Sequence, residues 1–145
     1  MEYSREIIIN RSKEDCIRLI SNPENMQKWQ PTMTGYEFLE GEFGKPGSKM
    51  RMDYLHGKRK MSMVETIIKI DGGLFEATYE APGVYNHMKS NFESIDENTS
   101  KWTTHQNFKF TSLMMKIIGF FMKGAFPKET EKIQKNFKEF AESEA

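Results

Sequence analysis

The sequence predicts an α+β domain on three observations. A short β-branched stretch opens the chain. Runs of alternating apolar and polar residues, separated by turn signals, fill its middle. Helical periodicity takes over the last third. The expected order is one strand, two short helices, about six antiparallel strands and one long helix, so about seven strands in all.

Each element has its own signal. Tyr3 to Asn10, with Ile7-Ile8-Ile9, reads as the first strand. Ser12 can cap a helix carrying Asp15 in its first turn and Cys16, Ile17, Leu19 and Ile20 on its apolar side. Asn22-Pro23 ends it and starts a second, brief helix that runs to Trp29-Gln30-Pro31. Tyr36 to Leu39 is the next strand. Ser48 to Leu55 follows the Lys45-Pro46-Gly47 turn and places Met50, Met52 and Tyr54 on one side. His56-Gly57-Lys58, Asp71-Gly72-Gly73, Ala81-Pro82-Gly83 and Asp96-Glu97-Asn98 punctuate four further strands, Lys60 to Ile70, Leu74 to Glu80, Val84 to Ile95 and Lys101 to Phe110. Ser112 to Ala141 carries helical spacing, dense in large apolar groups up to Phe126 and amphipathic after it, with Pro127 expected to kink it.

Bulk composition bounds the function. With 145 residues, the chain suits one domain spanning 1–145 with one sizeable core. Lys plus Arg (21) balance Asp plus Glu (21), so no global field draws the chain to nucleic acid. Cys16 is the single cysteine, which excludes an internal disulfide and a cysteine-rich zinc site. No His-Glu-x-x-His or phosphate-loop pattern is present, and neither a metal nor a cofactor is expected. The charged first residues lack a signal-peptide core, so a cytoplasmic location is expected. The 11 methionines, beside 11 phenylalanines, suit either ordinary core filling or a surface that accommodates varied apolar partners.

The element order and two local patterns resemble the START-like (SRPBCC, helix-grip) superfamily. Its members include birch-pollen-allergen-type plant proteins, polyketide cyclase/dehydrases and lipid-transfer START domains. They commonly follow the first strand with a Pro-Pro-Glu-Glu-Val-Trp-like helix start and then a short helix ending in Trp-x-Pro. Here these are Ser12-Lys13-Glu14-Asp15-Cys16-Ile17 and Trp29-Gln30-Pro31, with Asn22-Pro23-Glu24-Asn25 between them. Ser12, Lys13 and Ile17 depart from that pattern, which alters packing and not architecture. The resemblance implies a helix-grip fold: a curved sheet wrapped around the C-terminal helix, with a cavity between them. It is nearly silent on branch, because the fold hosts carriers, cyclases and cofactors of other proteins.

Within that frame Tyr54, Met63, Tyr79, Met88, Phe92, Trp102, Phe108, Ile117 and Phe121 are expected to line the cavity, with Thr104 and Gln106 as sparse polar points. The alternative for the polar pair is hydrogen bonding inside a filled core. Glu65 shares a strand face with Met61, Met63 and Ile67 and is the one candidate general acid or base. The opposite face of that strand is also partly apolar, and a solvated Glu65 is the competing reading. Tyr54 and Tyr79 are candidate pocket hydroxyls, or amphipathic core residues with wet tips. His56, His87 and His105 are expected at the surface, and Cys16 as a small buried hydrophobe.

Leu113 to Phe126, with Lys116 and Lys123, could lie on a membrane surface; the gripped helix must also be apolar, which explains the stretch without a membrane. The function expected first is binding or transport of a hydrophobic small molecule: a lipid, fatty acid, polyketide or isoprenoid. A cyclase/dehydratase-type enzyme and a protein-interaction module are the alternatives.

Overall fold

Tight turns at Gly57-Lys58, Gly72-Gly73, Pro82-Gly83 and Glu97-Asn98 fold the middle of the chain into consecutive hairpins. The computed structural model describes residues 1–144; Ala145, the end of the expected domain, lies outside the described residues. The elements are β1 (Glu2–Ile9), α1 (Lys13–Ser21), a 3-10 turn (Pro23–Asn25), α2 (Met26–Trp29), β2 (Met33–Glu40), β3 (Lys49–His56), β4 (Arg59–Asp71), β5 (Leu74–Ala81), β6 (Val84–Asp96), β7 (Thr99–Phe110), α3 (Leu113–Phe121) and α4 (Ala125–Ser143). One antiparallel sheet has the order β1-β7-β6-β5-β4-β3-β2. The first strand closes against the last, and β2 forms the far edge. This is the α+β helix-grip architecture.

The capping chemistry is as the sequence implies. Ser12 Oγ accepts from the Asp15 backbone N–H, and Asn22 Oδ1 accepts from that of Glu24. These bonds satisfy helix-start donors that would otherwise lack partners.

Two apolar clusters occupy the helix-covered face. Near β1, β7 and β6, residues Ile9, Cys16, Leu19, Trp29, Phe92, Trp102, Phe137 and Ala141 join α1, α2 and α4 to the sheet. Near β2, β3 and β4, Met26, Met33, Met50, Met52 and Tyr54 pack with Tyr36, Met63 and Tyr79. Most methionines of this second cluster fill ordinary core space. Cys16 is fully buried with its Sγ 3.3 Å from Ser100 Oγ, and burial pushes its thiol pKa up. That is an inert environment rather than a reactive one.

The C-terminal helix departs from expectation. It is two helices, and the break falls at Met122-Lys123-Gly124 rather than at Pro127. The reason is in proline geometry. In a continuous helix the Pro127 ring would collide with the carbonyl four residues back, that of Lys123. The chain therefore breaks there, with Gly124 as the weak helix former, and Pro127 sits in the first turn of α4, where a missing N–H costs little. Only α4 grips the sheet. Its Gln134 Nε2 donates to the Arg5 carbonyl at 3.1 Å, and Phe137 enters the aromatic cluster.

Candidate functional site on the concave face

Antiparallel pairing sets directly opposed residues side by side on one face. One such row crosses the sheet beneath the helices: Phe108 opposite Asn86, Asn86 opposite Tyr79, Tyr79 opposite Glu65, Glu65 opposite Met50. The neighbouring row pairs Gln106 with Met88 and Met88 with Ala77. The bulge in β4 comes after Ile67, so it leaves the orientation of Met63 and Glu65 unchanged. Polar side chains thus cross the middle of an otherwise apolar surface, between the two clusters.

These polar groups are paired economically. Tyr79 donates its phenol proton to Glu65 Oε2 at 2.8 Å. Asn86 Nδ2 donates to Gln106 Oε1 at 2.8 Å. Tyr54 donates to Gln30 Oε1 at 2.7 Å, which anchors the end of α2 to β3. Among the described residues four buried side-chain polar atoms lack a partner: Arg11 Nε, Trp29 Nε1 and, on the strands of this face, Asn86 Oδ1 and Thr104 Oγ1. Each such group costs about 1–3 kcal/mol if left unanswered.

Burial dominates the electrostatics. Glu65 is only 9% exposed, and burial raises its pKa above the usual carboxylate range, opposed in part by the Tyr79 hydrogen bond. Burial, together with the Glu65 charge, lifts both Tyr79 and Tyr54. The arrangement holds a carboxyl group and two phenols in their neutral forms over a wider pH range than water would.

The structure sorts the expected site residues into groups. Tyr54, Met63, Glu65, Tyr79, Met88, Thr104, Gln106 and Phe108 share the concave face. Met63, Tyr79, Met88 and Phe108 keep partial exposure between the packed clusters, so the surface there is not filled in. Phe92 and Trp102 have the same orientation but are consumed by packing. Their rings stack at 5.3 Å, Phe137 meets Trp102 edge-on at 5.2 Å, and the Trp102 indole donates to Ser90 Oγ. Ile117 and Phe121 are 51% and 80% exposed on α3 and belong to neither packed apolar cluster.

Asn86, Gln30 and Gln134 are further buried polar residues on or against the concave face, which periodicity does not single out. Asn86 was within reach, since it alternates in register with Met88, Ser90 and Phe92.

Other groups fall outside the site. His87 pairs with Glu76 at 2.6 Å on the opposite face, His105 Nδ1 lies 2.8 Å from Ser4 Oγ, and His56 is exposed. A depression of about 220 Å³ lined by Ile68, Tyr85, His87, Asn107 and Lys109 lies on that same outer face. Among the described residues no three His, Cys, Asp or Glu side chains converge as a metal site.

No family model and no curated protein matches the sequence significantly. Solved structures match over nearly its whole length. A START superfamily protein from Mycobacterium smegmatis superposes with a TM-score of 0.82 at 12% identity, covering 97% of each chain. The Zhui aromatase/cyclase from Streptomyces sp. R1128 gives 0.81 at 9% identity, over 98% of this chain and 93% of that one. Norcoclaurine synthase from Thalictrum flavum, in complex with dopamine and hydroxybenzaldehyde, gives 0.70 at 16% identity, over 100% and 88%. At these identities the likeness is one of fold: the chain has the START-like, SRPBCC fold, which hosts both ligand-binding proteins and cyclases.

Proposed function

We propose that this chain binds a hydrophobic small molecule, of the lipid, fatty acid, polyketide or isoprenoid class, against its concave face, with a hydroxyl-bearing end at the polar row. One observation carries the reading: Asn86 Oδ1 and Thr104 Oγ1 are buried and unanswered in the middle of an apolar surface. A ligand hydroxyl can donate to Asn86 Oδ1, while Met63, Met88 and Phe108 take its apolar part. Thr104 is four residues along β7 from the Phe108 that pairs with Asn86, about 13 Å away, and would meet a second polar group of the ligand. Affinity would come mostly from apolar burial, about 25 cal/mol per Å² before ordering costs. The flexible methionines favour a range of ligands of similar size. A cytoplasmic location belongs to the same reading, supported by the lone, reduced and buried Cys16.

The direct experiment is native mass spectrometry of the gently purified protein, with identification of whatever organic extraction releases. A co-purifying apolar compound supports the reading. An empty protein that also fails to bind a fluorescent fatty-acid probe would sink it.

Thr104→Val gives a sharper test, because it removes a hydroxyl and keeps the shape. The ligand-free protein should gain about 1 kcal/mol in urea unfolding, as a buried unanswered group disappears. A long-chain fatty alcohol, whose single hydroxyl is held at Asn86, should bind with unchanged affinity. A loss of stability would mean that the hydroxyl is already satisfied within the protein.

A second reading, a cyclase/dehydratase-type enzyme, is favoured by the Glu65–Tyr79 pair. A carboxyl with a raised pKa, hydrogen-bonded to a phenol in an apolar hollow, is suited to moving one proton on a substrate that the cavity has folded. Glu65→Gln should then abolish turnover and spare binding. Unchanged turnover would remove Glu65 from that role.

A further inference from the structure

We infer that α3 is a docking helix for an anionic lipid surface. In nine residues, Leu113–Phe121, it presents side chains that a soluble fold ordinarily hides. Leu113 is 76% exposed, Met114 68%, Phe120 64% and Phe121 80%. Contiguous apolar exposure of this kind marks an interaction site.

The helix is held to the fold by its other side, at two glycines. A Cβ on Gly83 would lie 2.6 Å from Met115 Cγ, and one on Gly119 would lie 2.6 Å from the Phe110 ring. Both contacts require bare backbone, so the inward face of α3 is fitted to the sheet. The outward face has no protein partner among the described residues. At about 100° per residue, Phe120, Leu113, Ile117, Phe121 and Met114 fall in one arc. Lys116 falls on one edge of that arc, and Lys123, in the turn that follows α3, has its Nζ 4.8 Å from the Phe120 ring centroid.

Charge selects the occupant. No Asp or Glu occurs between Glu97 and Glu129, while Lys109, Lys116, Lys123 and Lys128 bracket the helix. All four are exposed, and none makes an ion pair among the described residues. An apolar face with lysines at its edge matches a lipid interface, where the rings enter the acyl boundary and the ammonium groups reach anionic headgroups. A second copy of the chain fits less well: a two-fold pairing of such helices would bring lysines together with no acid to answer them. At about 1.5 Å per residue α3 is far shorter than the roughly 30 Å hydrocarbon core, so it would lie in the surface plane. No helix among the described residues is long and apolar enough to cross a membrane. The attachment points of α3, Gly83 and Phe110, lie next to the Asn86–Phe108 pair, so docking would set one end of the concave face against the lipid. The inference stands independently of which ligand, if any, the face holds.

The test is flotation of the whole protein with vesicles of phosphatidylcholine alone and of phosphatidylcholine with phosphatidylserine. The expected result is binding to the mixed vesicles that weakens as salt rises, with at least a tenfold loss in Phe121→Asp and in the Lys116→Glu, Lys123→Glu double variant. Both variants alter exposed positions, and circular dichroism checks that they remain folded. Absence of wild-type binding would overturn the inference. So would equal binding to both vesicle types, or a wild-type dimer that Phe121→Asp converts to monomer, which would make a second copy the occupant.

Discussion

Replacing Phe137 by Ala is expected to cost about 3–5 kcal/mol of unfolding free energy, the range for emptying a fully packed aromatic site. Phe137 is completely buried on α4 and meets Trp29 at 5.3 Å, Trp102 at 5.2 Å, Phe92 at 6.1 Å and Phe140 at 6.2 Å between ring centroids. It is where the gripping helix, α2 and strands β6 and β7 converge. Its loss would leave a cavity that four rigid rings cannot collapse to fill. Urea unfolding measures the cost, and Phe120→Ala on α3 is the matched control. Phe120 is the same residue type but 64% exposed, so its truncation should change stability by no more than about 0.5 kcal/mol. Comparable costs at the two positions would mean that α4 does not close the core through Phe137.

The same two phenylalanines show what a sequence can and cannot reveal here. Strand orientation was legible because alternation is a local property. Tyr54, Met63, Tyr79, Met88, Gln106 and Phe108 face the helices as their parity implies, and Glu65, whose strand is apolar on both faces, falls on the inner one. Helix direction in space was not legible, since apolar spacing in α3 and α4 is equally compatible with one gripped helix or two. The signal that decides, Pro127, acts four residues upstream through the Lys123 carbonyl, so the break appears away from the proline that causes it. One continuous helix would carry Ile117 and Phe121 on the gripped segment, whereas the break leaves them on a separate helix, 51% and 80% exposed. Packing was equally hidden. Trp102 and Phe92 share the orientation of Gln106 and Met88, but only the register of β6 and β7 against α4 reveals that their rings are already in contact with Phe137. The unpaired atoms of Asn86 and Thr104 are a property of three-dimensional accounting, which no spacing rule encodes.

Glu65→Gln is expected to change the pH dependence of stability, and the direction follows from burial. The folded protein holds the Glu65 pKa above its ordinary value of about 4.3, because the carboxylate would be stranded among Met50, Tyr54 and Tyr79. A group raised in this way favours the folded state fully at pH below the ordinary value, where it is neutral in both states. That contribution is lost as pH rises through the folded-state value, because the unfolded chain ionises freely and the folded one does not. Glutamine is neutral throughout and keeps a similar shape. The variant should therefore match the wild type near pH 4 and exceed it at pH 8, by on the order of 1 kcal/mol, the usual scale for a buried polar group with incomplete partners. Urea unfolding at the two pH values reads the difference. Tyr79→Phe should act in the opposite sense. It removes the hydrogen bond that favours the carboxylate, so stability should fall more steeply with rising pH than in the wild type. Parallel pH profiles for all three proteins would show that Glu65 reaches water in the folded state. The neutral carboxyl proposed as a proton donor on the concave face would then have no physical basis.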